Sequence, residues 1–213
     1  MKSYPHPILA KEGWFYITLS VIVSLLLLKV SFVIALPVIL ITIFVIQFFR
    51  DPAREVPTTE NIIVSPADGK VICVQQDIDP YRNCEAIKIS IFMNVFNVHS
   101  NRSPADGVVE NVTYIPGKFV NANFDKASTD NERNAIVLKL TNNDRITFVQ
   151  VAGLIARRIL CYTTVGKHLT RGERYGFIRF GSRVDLFLPL HYKPTVSIGQ
   201  NVKAGSDIIA NMG

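Results

Sequence analysis

The residues best suited to covalent chemistry in this chain are the neighbours Gly181 and Ser182. A serine hydroxyl can attack the carbonyl of the residue before it, and a glycine there has no side chain to obstruct the approach. The chain would then break itself between these two residues. The simpler interpretation is a hairpin turn, because the flanking runs, Phe177 to Phe180 and Val184 to Leu188, are rich in β-forming residues.

A serine hydroxyl needs a base, and His99 is the best candidate. It follows the apolar run Ile87 to Phe92 and lies among the polar residues Asn97, Asn101 and Arg102. Imidazole has an ordinary pKa of about 6.5, which suits a general base near neutral pH. A histidine at a strand end is also common as a structural polar residue, so the setting alone does not assign the role.

Two copies of one pentapeptide supply candidate carboxylates to orient the histidine. Ser65-Pro66-Ala67-Asp68-Gly69 recurs as Ser103-Pro104-Ala105-Asp106-Gly107, and a β-type run follows each copy. An aspartate in such a turn often accepts a hydrogen bond from its own backbone, which is the alternative explanation for both. Spacing alone does not choose between Asp68 and Asp106.

The segments around these residues predict a mainly β domain, a sandwich or a barrel, with an α+β fold as the alternative. From Ile62 onward, short β-type runs alternate with Gly, Pro, Asn and Asp, and there are few long amphipathic helical windows. The clearest runs are Lys70 to Gln75, Ala86 to Phe92, Gly107 to Tyr114, Ala135 to Leu140, Arg145 to Val151 and Arg158 to Thr163.

A second internal repeat pairs the segments 165–173 and 198–206. The pair is similar to the β-turn hammerheads of biotinyl and lipoyl carrier domains, in which two such motifs flank a hairpin that presents the modified lysine. Gly181 and Ser182 occupy that place here. A membrane-tethered carrier domain is therefore an alternative function, but the chain has no lysine at the place where such a domain is modified.

The N-terminal stretch from Trp14 to Phe49 carries one formal charge, Lys29. This lysine separates Trp14 to Leu28 from Val30 to Phe49, and the second part has about the 20 residues that span hydrocarbon. We expect a helical hairpin in a membrane; a single span with an interfacial segment, monotopic attachment and a signal peptide are the alternatives. Basic residues flank the stretch on both sides, which favours both ends on the cytoplasmic side: Lys2, Lys11, Arg50 and Arg54.

Three parts are therefore expected: a membrane anchor of residues 1–50, a proline-containing linker of residues 51–61, and a catalytic domain of residues 62–213. The net charge of +6 and the isoelectric point of about 9.3 suit an anionic membrane surface. Basic and aromatic residues are not interleaved, so nucleic acid is not an expected partner. The three cysteines and four histidines are too scattered for a disulfide framework or a metal site.

In combination, the motifs resemble the phosphatidylserine decarboxylases, specifically the short proenzymes of bacteria and archaea. The resemblance runs from about Phe48 to the C-terminus and depends on several segments in one order. They are Arg50-Asp51-Pro52 with Arg54 and Pro57, Ser65 to Gly69, Asn97-Val98-His99 with Asn101-Arg102 and Pro104, Asn131 to Asn134, Val149 to Gly153 with Ala156-Arg157-Arg158, and Gly172 to Arg174 with Phe180 to Asp185.

This resemblance implies a self-processing enzyme that breaks the Gly181-Ser182 bond into chains 1–181 and 182–213. It implies a pyruvoyl group made from Ser182, no metal, and a triad of Asp68, His99 and Ser182. Asp68 is preferred to Asp106 because it lies in the first pentapeptide, ahead of the histidine. Two features differ from the larger bacterial enzymes: their cleavage site reads Leu-Gly-Ser-Thr, and they carry an additional histidine where this chain has Phe96.

The implied reaction belongs to phospholipid biosynthesis. Phosphatidylserine would form a Schiff base with the pyruvoyl group and leave as phosphatidylethanolamine and CO2, at the cytoplasmic side of the inner membrane. Candidates for binding the phosphate are Arg102, Arg133, Arg157, Arg158 and Arg183. A serine hydrolase that uses the same triad, a related family acting on archaeal-type lipids, and a homo-oligomer stay open as alternatives.

Overall fold

The structure, a computed structural model, describes residues 7–119, 122, 130–153, 158–179 and 181–213. These residues form two compact units that meet in the sequence between Ala53 and Arg54. The N-terminal unit is helical, and the C-terminal unit is mainly β, as the sequence predicted.

The N-terminal unit contains two helices, α1 (Trp14–Leu28) and α2 (Phe32–Phe48), with a short 3-10 turn at Lys11–Gly13 before the first. The hydroxyls of Ser24 and Thr42 lie 3.0 Å apart and join the two helices. Many large apolar side chains on both helices are exposed, as expected of a surface that contacts lipid.

The lengths of the two helical segments differ from the sequence prediction. The stretch Lys11–Leu28 is, among the described residues, the one long and apolar enough to cross a membrane, whereas α2 is shorter. The 3-10 turn lengthens the first segment, and Val30 and Ser31 belong to the connection, which shortens the second. The presence of two helices is confirmed, and their arrangement in a membrane stays a prediction.

The C-terminal unit has fourteen strands within its described residues. They are β1 (Ile62–Val64), β2 (Gly69–Asp79), β3 (Cys84–Met93), β4 (Ser100–Arg102), β5 (Gly107–Ile115), β6 (Arg133–Leu140), β7 (Arg145–Ala152), β8 (Ile159–Cys161), β9 (His168–Leu169), β10 (Arg174–Ile178), β11 (Ser182–Leu188), β12 (Lys193–Pro194), β13 (Asn201–Val202) and β14 (Ile208–Asn211).

Eight of these strands form one antiparallel sheet in the order β13-β2-β3-β11-β7-β6-β5-β9. Two smaller sheets have the orders β1-β14-β12 and β4-β10-β8. In the large sheet β11 lies between β3 and β7, and its alternate residues Val184, Leu186 and Leu188 enter the main core. Side chains alternate along a strand, so Arg183 and Asp185 lie on the opposite face.

The predicted hairpin around Gly181 and Ser182 is wrong. Strands β10 and β11 follow each other in the sequence, but β10 pairs with β4 and β8 in a different sheet. Gly181 joins the two sheets with φ +63°, a left-handed conformation that favours glycine. Ser182 is therefore the first residue of a central strand, and it is fully buried.

Both internal repeats of the sequence are structural repeats. The Asp68 carboxylate accepts the Ala204 backbone N–H at 2.7 Å, and the Asp106 carboxylate accepts the Arg171 backbone N–H at 3.0 Å. Ala204 and Arg171 occupy equivalent places in the two hammerhead-like segments. The segment 198–206 thus binds the Asp68 turn, and the segment 165–173 binds the Asp106 turn.

Two glycines bring the edges of the large sheet together. Gly172 and Gly205 follow the edge strands β9 and β13, and both have left-handed backbones, with φ of +79° and +73°. A Cβ at Gly205 would lie 3.4 Å from the Gly172 Cα. Because these edge segments touch, the large sheet curls back on itself around the core.

Candidate active site

The register of the large sheet places the Asp68 turn near Ser182. Ser182 pairs with Met93 at the end of β3, and the preceding residue, Phe92, pairs with Lys70 at the start of β2. Asp68 lies just before that start. The backbones are close here, because a Cβ at Gly69 would lie 2.1 Å from the Phe92 carbonyl oxygen.

Asp106 occupies a different place in the same register. Ser182 pairs with Ala152 on β7, and the neighbouring residue Val151 pairs with Arg133, the first residue of β6. Gly107, which follows Asp106, pairs with Leu140, the last residue of β6, and so lies at the other end of that strand. The sheet register therefore favours Asp68 over Asp106 as the carboxylate neighbour of Ser182.

His99 directly precedes β4 and is fully buried. The Arg102 N–H of the same strand donates to the Pro66 carbonyl at 2.9 Å, which ties β4 to the Asp68 turn. On the other side, the Ile178 N–H donates to the His99 carbonyl at 3.3 Å. His99 is thus held between the Asp68 turn and the end of the strand that leads to Gly181.

The imidazole of His99 has a defined tautomer. Its Nδ1 lies 3.0 Å from the Asn97 carbonyl oxygen. A carbonyl only accepts hydrogen bonds, so Nδ1 carries the proton and Nε2 keeps its lone pair in the neutral ring. The Phe177 ring, with its centroid 6.3 Å away, packs beside the imidazole. This tautomer is the one in which Nε2 can accept a proton.

The Ser182 hydroxyl donates to a weak acceptor. It lies 3.3 Å from the Met93 Sδ, and both side chains are fully buried. A thioether sulfur binds an O–H less strongly than an oxygen or nitrogen does. Transferring the hydroxyl from this sulfur to a base therefore costs less free energy than transferring it from an oxygen or nitrogen acceptor.

A chain of buried amides leads to the same sulfur. Asn134 donates to Gln150 at 3.1 Å, and Gln150 donates to Asn101 at 2.8 Å. The Asn101 amide nitrogen then lies 3.8 Å from the Met93 Sδ. These three amides fix the polar wall beside Ser182 inside an otherwise apolar core.

The surroundings of this wall have low polarity. Tyr175 of β10 is fully buried, and its ring packs edge-on against Phe148 with centroids 4.7 Å apart. Burial raises the pKa of Tyr175 well above its ordinary value, so the phenol stays neutral near pH 7. In such surroundings, hydrogen bonds and charges near Ser182 interact more strongly than they would in water.

The Gly181 carbonyl lies against a second glycine. A Cβ at Gly153 would be 2.0 Å from the Gly181 oxygen and 2.8 Å from its carbonyl carbon, so one Cα hydrogen of Gly153 faces this carbonyl. Gly153 is required by this close contact, whereas Gly181 is required by its backbone conformation. No atom of the residues described, its chain neighbours aside, lies within 4 Å of the Cβ position of Gly181, but its φ is +63°. The sequence motif contained Gly153 without indicating this contact.

The Asp68 carboxylate is almost fully buried and is held through both oxygens. Arg54 Nη2 lies 2.7 Å from Oδ2, and the Ala204 N–H lies 2.7 Å from Oδ1. In the sequence, Arg54 stood out only as a basic residue that flanks the apolar stretch and as part of the motif around Arg50-Asp51-Pro52. Its role beside Asp68 depends on the fold, which returns the linker to the start of β2.

Two of the five candidate arginines are almost completely buried and make internal contacts. Arg102 is buried and donates to the Gly172 carbonyl at 3.2 Å. Arg183 is buried on the face of β11 opposite Ser182, where its Nε lies 2.9 Å from the Asp185 Oδ1 and its Nη1 donates to the Ala122 carbonyl at 3.1 Å. These contacts fix the beginning of β11.

The other candidate arginines lie in different settings. Arg133 is partly buried at the end of β6 that is level with Ser182, and Arg158 is exposed. Arg157 lies outside the described residues. Among the residues that the structure does describe, no cluster of three His, Cys, Asp or Glu side chains is placed to hold a metal ion.

Comparison with known proteins assigns this fold and site to a family. The family model for phosphatidylserine decarboxylase matches residues 41–210. A phosphatidylserine decarboxylase proenzyme of Ralstonia pickettii is 59% identical over 211 residues, covering 99% of this chain and 98% of the relative. Proenzymes of the same name from Cupriavidus taiwanensis and Paraburkholderia phymatum are each 57% identical, covering 99% of this chain and 98% and 100% of the relatives.

The chain therefore belongs to the phosphatidylserine decarboxylase family and is an enzyme. This confirms the resemblance drawn from the motifs. The roles of Asp68, His99, Ser182 and the arginines are not tested by these comparisons and stay predictions.

The amide chain beside Ser182 gives a prediction about stability. Gln150→Leu removes the partner of both Asn101 and Asn134, and each buried amide left unsatisfied costs about 1–3 kcal/mol. We expect thermal unfolding, followed by circular dichroism, to shift down by several degrees. Gln76→Leu, at an exposed position on β2, is the control and should leave the midpoint nearly unchanged. Equal midpoints for the two variants would show that the amide chain does not contribute to stability.

Proposed function

We propose that this chain decarboxylates phosphatidylserine to phosphatidylethanolamine and CO2 at the membrane surface, after breaking itself between Gly181 and Ser182. The observation that carries the proposal is the position of Ser182. It is a buried nucleophile at a left-handed Gly-Ser junction, on the end of the sheet that also bears Asp68, with His99 tied to both segments. The relatives' designation as proenzymes supports the processing step.

The first step is an attack within the main chain. His99 Nε2 removes the proton of the Ser182 hydroxyl, and the hydroxyl oxygen attacks the Gly181 carbonyl carbon. The amide bond breaks, an ester forms through the serine oxygen, and the Ser182 nitrogen becomes an amine. The negative charge of Asp68 would stabilise the imidazolium that forms on His99, while the Asn97 carbonyl accepts the Nδ1 proton. The close approach of Gly153 sets the direction in which the Gly181 carbonyl points during this attack.

The second step releases the two chains. A base removes the α-proton of residue 182, and the Gly181 carboxylate leaves together with the former serine oxygen. The dehydroalanine that remains tautomerises to an imine, and one water molecule hydrolyses it to a pyruvoyl group and ammonia. The products are a chain ending at Gly181 and a chain of residues 182–213 that begins with the pyruvoyl group.

The residues around Ser182 fit this group. Residues 183–187 of β11 pair with β3 on one side and β7 on the other, so the head of this strand keeps its position when residue 182 loses its nitrogen and its bond to Gly181. The Met93 thioether forms an apolar wall where the serine side chain becomes a methyl group. A pyruvoyl group supplies an electron sink for loss of CO2 from an amino acid head group. His99 would then deliver the proton to the carbon that loses CO2.

Substrate binding must take place at the bilayer. Each buried CH2 of an acyl chain contributes about 0.8 kcal/mol, so a diacyl lipid does not leave the membrane readily. The exposed apolar side chains of α1 and α2 would attach the enzyme to the inner membrane, with the catalytic unit on the cytoplasmic side. Arg133 and Arg158 are the better candidates for the lipid phosphate because both are more exposed than Arg102 and Arg183, which are almost completely buried.

Intact mass measurement tests the proposal directly. Wild-type protein should give two chains, divided after residue 181, and Ser182→Ala should give one chain of about 23.8 kDa. The smaller wild-type chain should react with hydroxylamine, because a pyruvoyl carbonyl is present. Wild type alone should convert phosphatidylserine in mixed micelles to phosphatidylethanolamine.

The opposite result would favour a different enzyme. A wild-type chain that stays whole and carries an unmodified Ser182 would overturn the pyruvoyl mechanism and favour a serine hydrolase with the same residues. His99→Ala gives an independent check, since normal cleavage of that variant would exclude His99 as the base.

The two product chains should stay together after cleavage. Chain 182–213 contributes β11 to the centre of the large sheet and β14 to the middle of a small one. We expect both chains to elute as one species in gel filtration and to separate only in denaturant. Loss of the smaller chain under native conditions would contradict the strand pairing described above.

The contact at Gly153 gives a further prediction. Gly153→Ala places a methyl group against the Gly181 carbonyl oxygen, and misplacing a reacting atom by about 1 Å can cost about a hundredfold in rate. We expect unprocessed precursor on denaturing gels. Gly107→Ala is the matched control, because its Cβ would also meet a backbone oxygen, that of Lys139 at 2.4 Å, away from Ser182 in the sheet register. Cleavage of Gly153→Ala at the wild-type rate would rule out this positioning role.

A further inference from the structure

We propose that Arg54 is a positioning residue for Asp68, which links the cleavage site to the segment leaving the N-terminal helices. This inference rests on the proposed function. Arg54 directly follows the helical unit in the sequence and belongs to the mainly β unit. Its guanidinium contacts the carboxylate that we place in the triad.

The contact has the geometry of a strong interaction. Arg54 Nη2 lies 2.7 Å from Asp68 Oδ2, and both side chains are 11% exposed. The Ala204 N–H occupies the other oxygen at 2.7 Å. Two donors on two different oxygens fix the plane of the carboxylate, and the guanidinium balances its charge in a largely dry setting.

The internal repeat shows that the turn itself does not require an arginine. Asp106 occupies the same pentapeptide turn and accepts the equivalent backbone donor, Arg171 N–H at 3.0 Å. Within the described part of the chain, an arginine ion pair distinguishes Asp68 from Asp106. Because the second turn forms the same backbone contacts without it, the Arg54 contact points to the chemistry of Asp68 and not to the folding of the turn.

One of the two donors to Asp68 precedes the cleavage site in the sequence, and the other follows it. Arg54 belongs to chain 1–181 and Ala204 to chain 182–213. Asp68 therefore keeps its orientation after the chain divides only if both contacts persist. Pro52 and Pro57 flank Arg54 and restrict the linker backbone, which limits how far the guanidinium can move from the carboxylate.

Full-length Arg54→Gln and Arg54→Lys separate this role from a structural one. Hydrogen bonds to charged groups contribute about 1.5–3 kcal/mol, so Arg54→Gln should slow precursor cleavage roughly tenfold to hundredfold in a pulse-chase experiment. Arg54→Lys keeps the positive charge and should restore most of the rate. In a Ser182→Ala background, which cannot cleave, Arg54→Gln and Arg54→Lys should unfold at similar temperatures.

Two controls match the substitution. Arg82→Gln breaks another largely buried ion pair, in which Arg82 Nε lies 2.5 Å from Asp79 Oδ2 at the opposite end of β2. Asp106→Asn changes the equivalent carboxylate of the second turn. Both variants should cleave at the wild-type rate, whereas Asp68→Asn should not cleave.

Several outcomes would overturn the inference. Cleavage of Arg54→Gln at the wild-type rate would exclude the positioning role. Cleavage of Arg54→Lys no faster than that of Arg54→Gln would exclude it as well. If Arg82→Gln cleaves as slowly as Arg54→Gln, the slow cleavage of Arg54→Gln is explained by general destabilisation and the positioning role is excluded. A wild-type chain that never cleaves would overturn both the proposed function and this inference, whereas normal cleavage in wild type and Arg54→Gln alike would overturn the inference alone.

Discussion

The main-chain pairing of β11 on both sides is the constraint on which the site depends. Ser182 is the first residue of this strand, and β3 and β7 hold its backbone through Met93 and Ala152. The Arg183–Asp185 ion pair fixes the opposite face of the same segment. The pairing of residues 183–187 with both neighbours holds the head of this strand whether or not residue 182 is bonded to Gly181. The fold therefore suits a chain that uses the same residue first as a nucleophile and then as the attachment point of a prosthetic group.

The polar groups near Ser182 are arranged in pairs and chains inside a dry core. Asn134, Gln150 and Asn101 satisfy one another, and Asp68 is balanced by Arg54 and the Ala204 N–H. Because unsatisfied polar groups in such surroundings cost several kcal/mol, each of these contacts also specifies one arrangement of the site. The hydroxyl of Ser182 is held more weakly, because its acceptor is a thioether sulfur. The backbone of the nucleophile is thus fixed by strand pairing, whereas its hydroxyl makes only a weak hydrogen bond.

Much of the fold could be predicted from patterns in the sequence. The two apolar helices, the mainly β catalytic unit and both internal repeats follow from local composition, because each depends on residues that are close together in the chain. The hairpin around Gly181 and Ser182 was predicted wrongly for the same reason. Two β-type runs separated by a Gly-Ser pair favour a hairpin locally, but β10 and β11 pair with other strands in two different sheets, and strand pairing depends on such neighbours more than on local sequence.

The sequence by itself determined the chemistry that this protein can perform: a serine after a glycine, a histidine able to act as a base, two equivalent aspartates, and an apolar segment suited to lipid. Only the tertiary structure decided which groups meet. Sheet register brings Asp68 and not Asp106 to the Ser182 end, the return of the linker places Arg54 on Asp68, and close backbone contact makes Gly153 the neighbour of the Gly181 carbonyl. These contacts join residues far apart in the chain, and their free energy comes from strand pairing and burial, which local sequence does not encode.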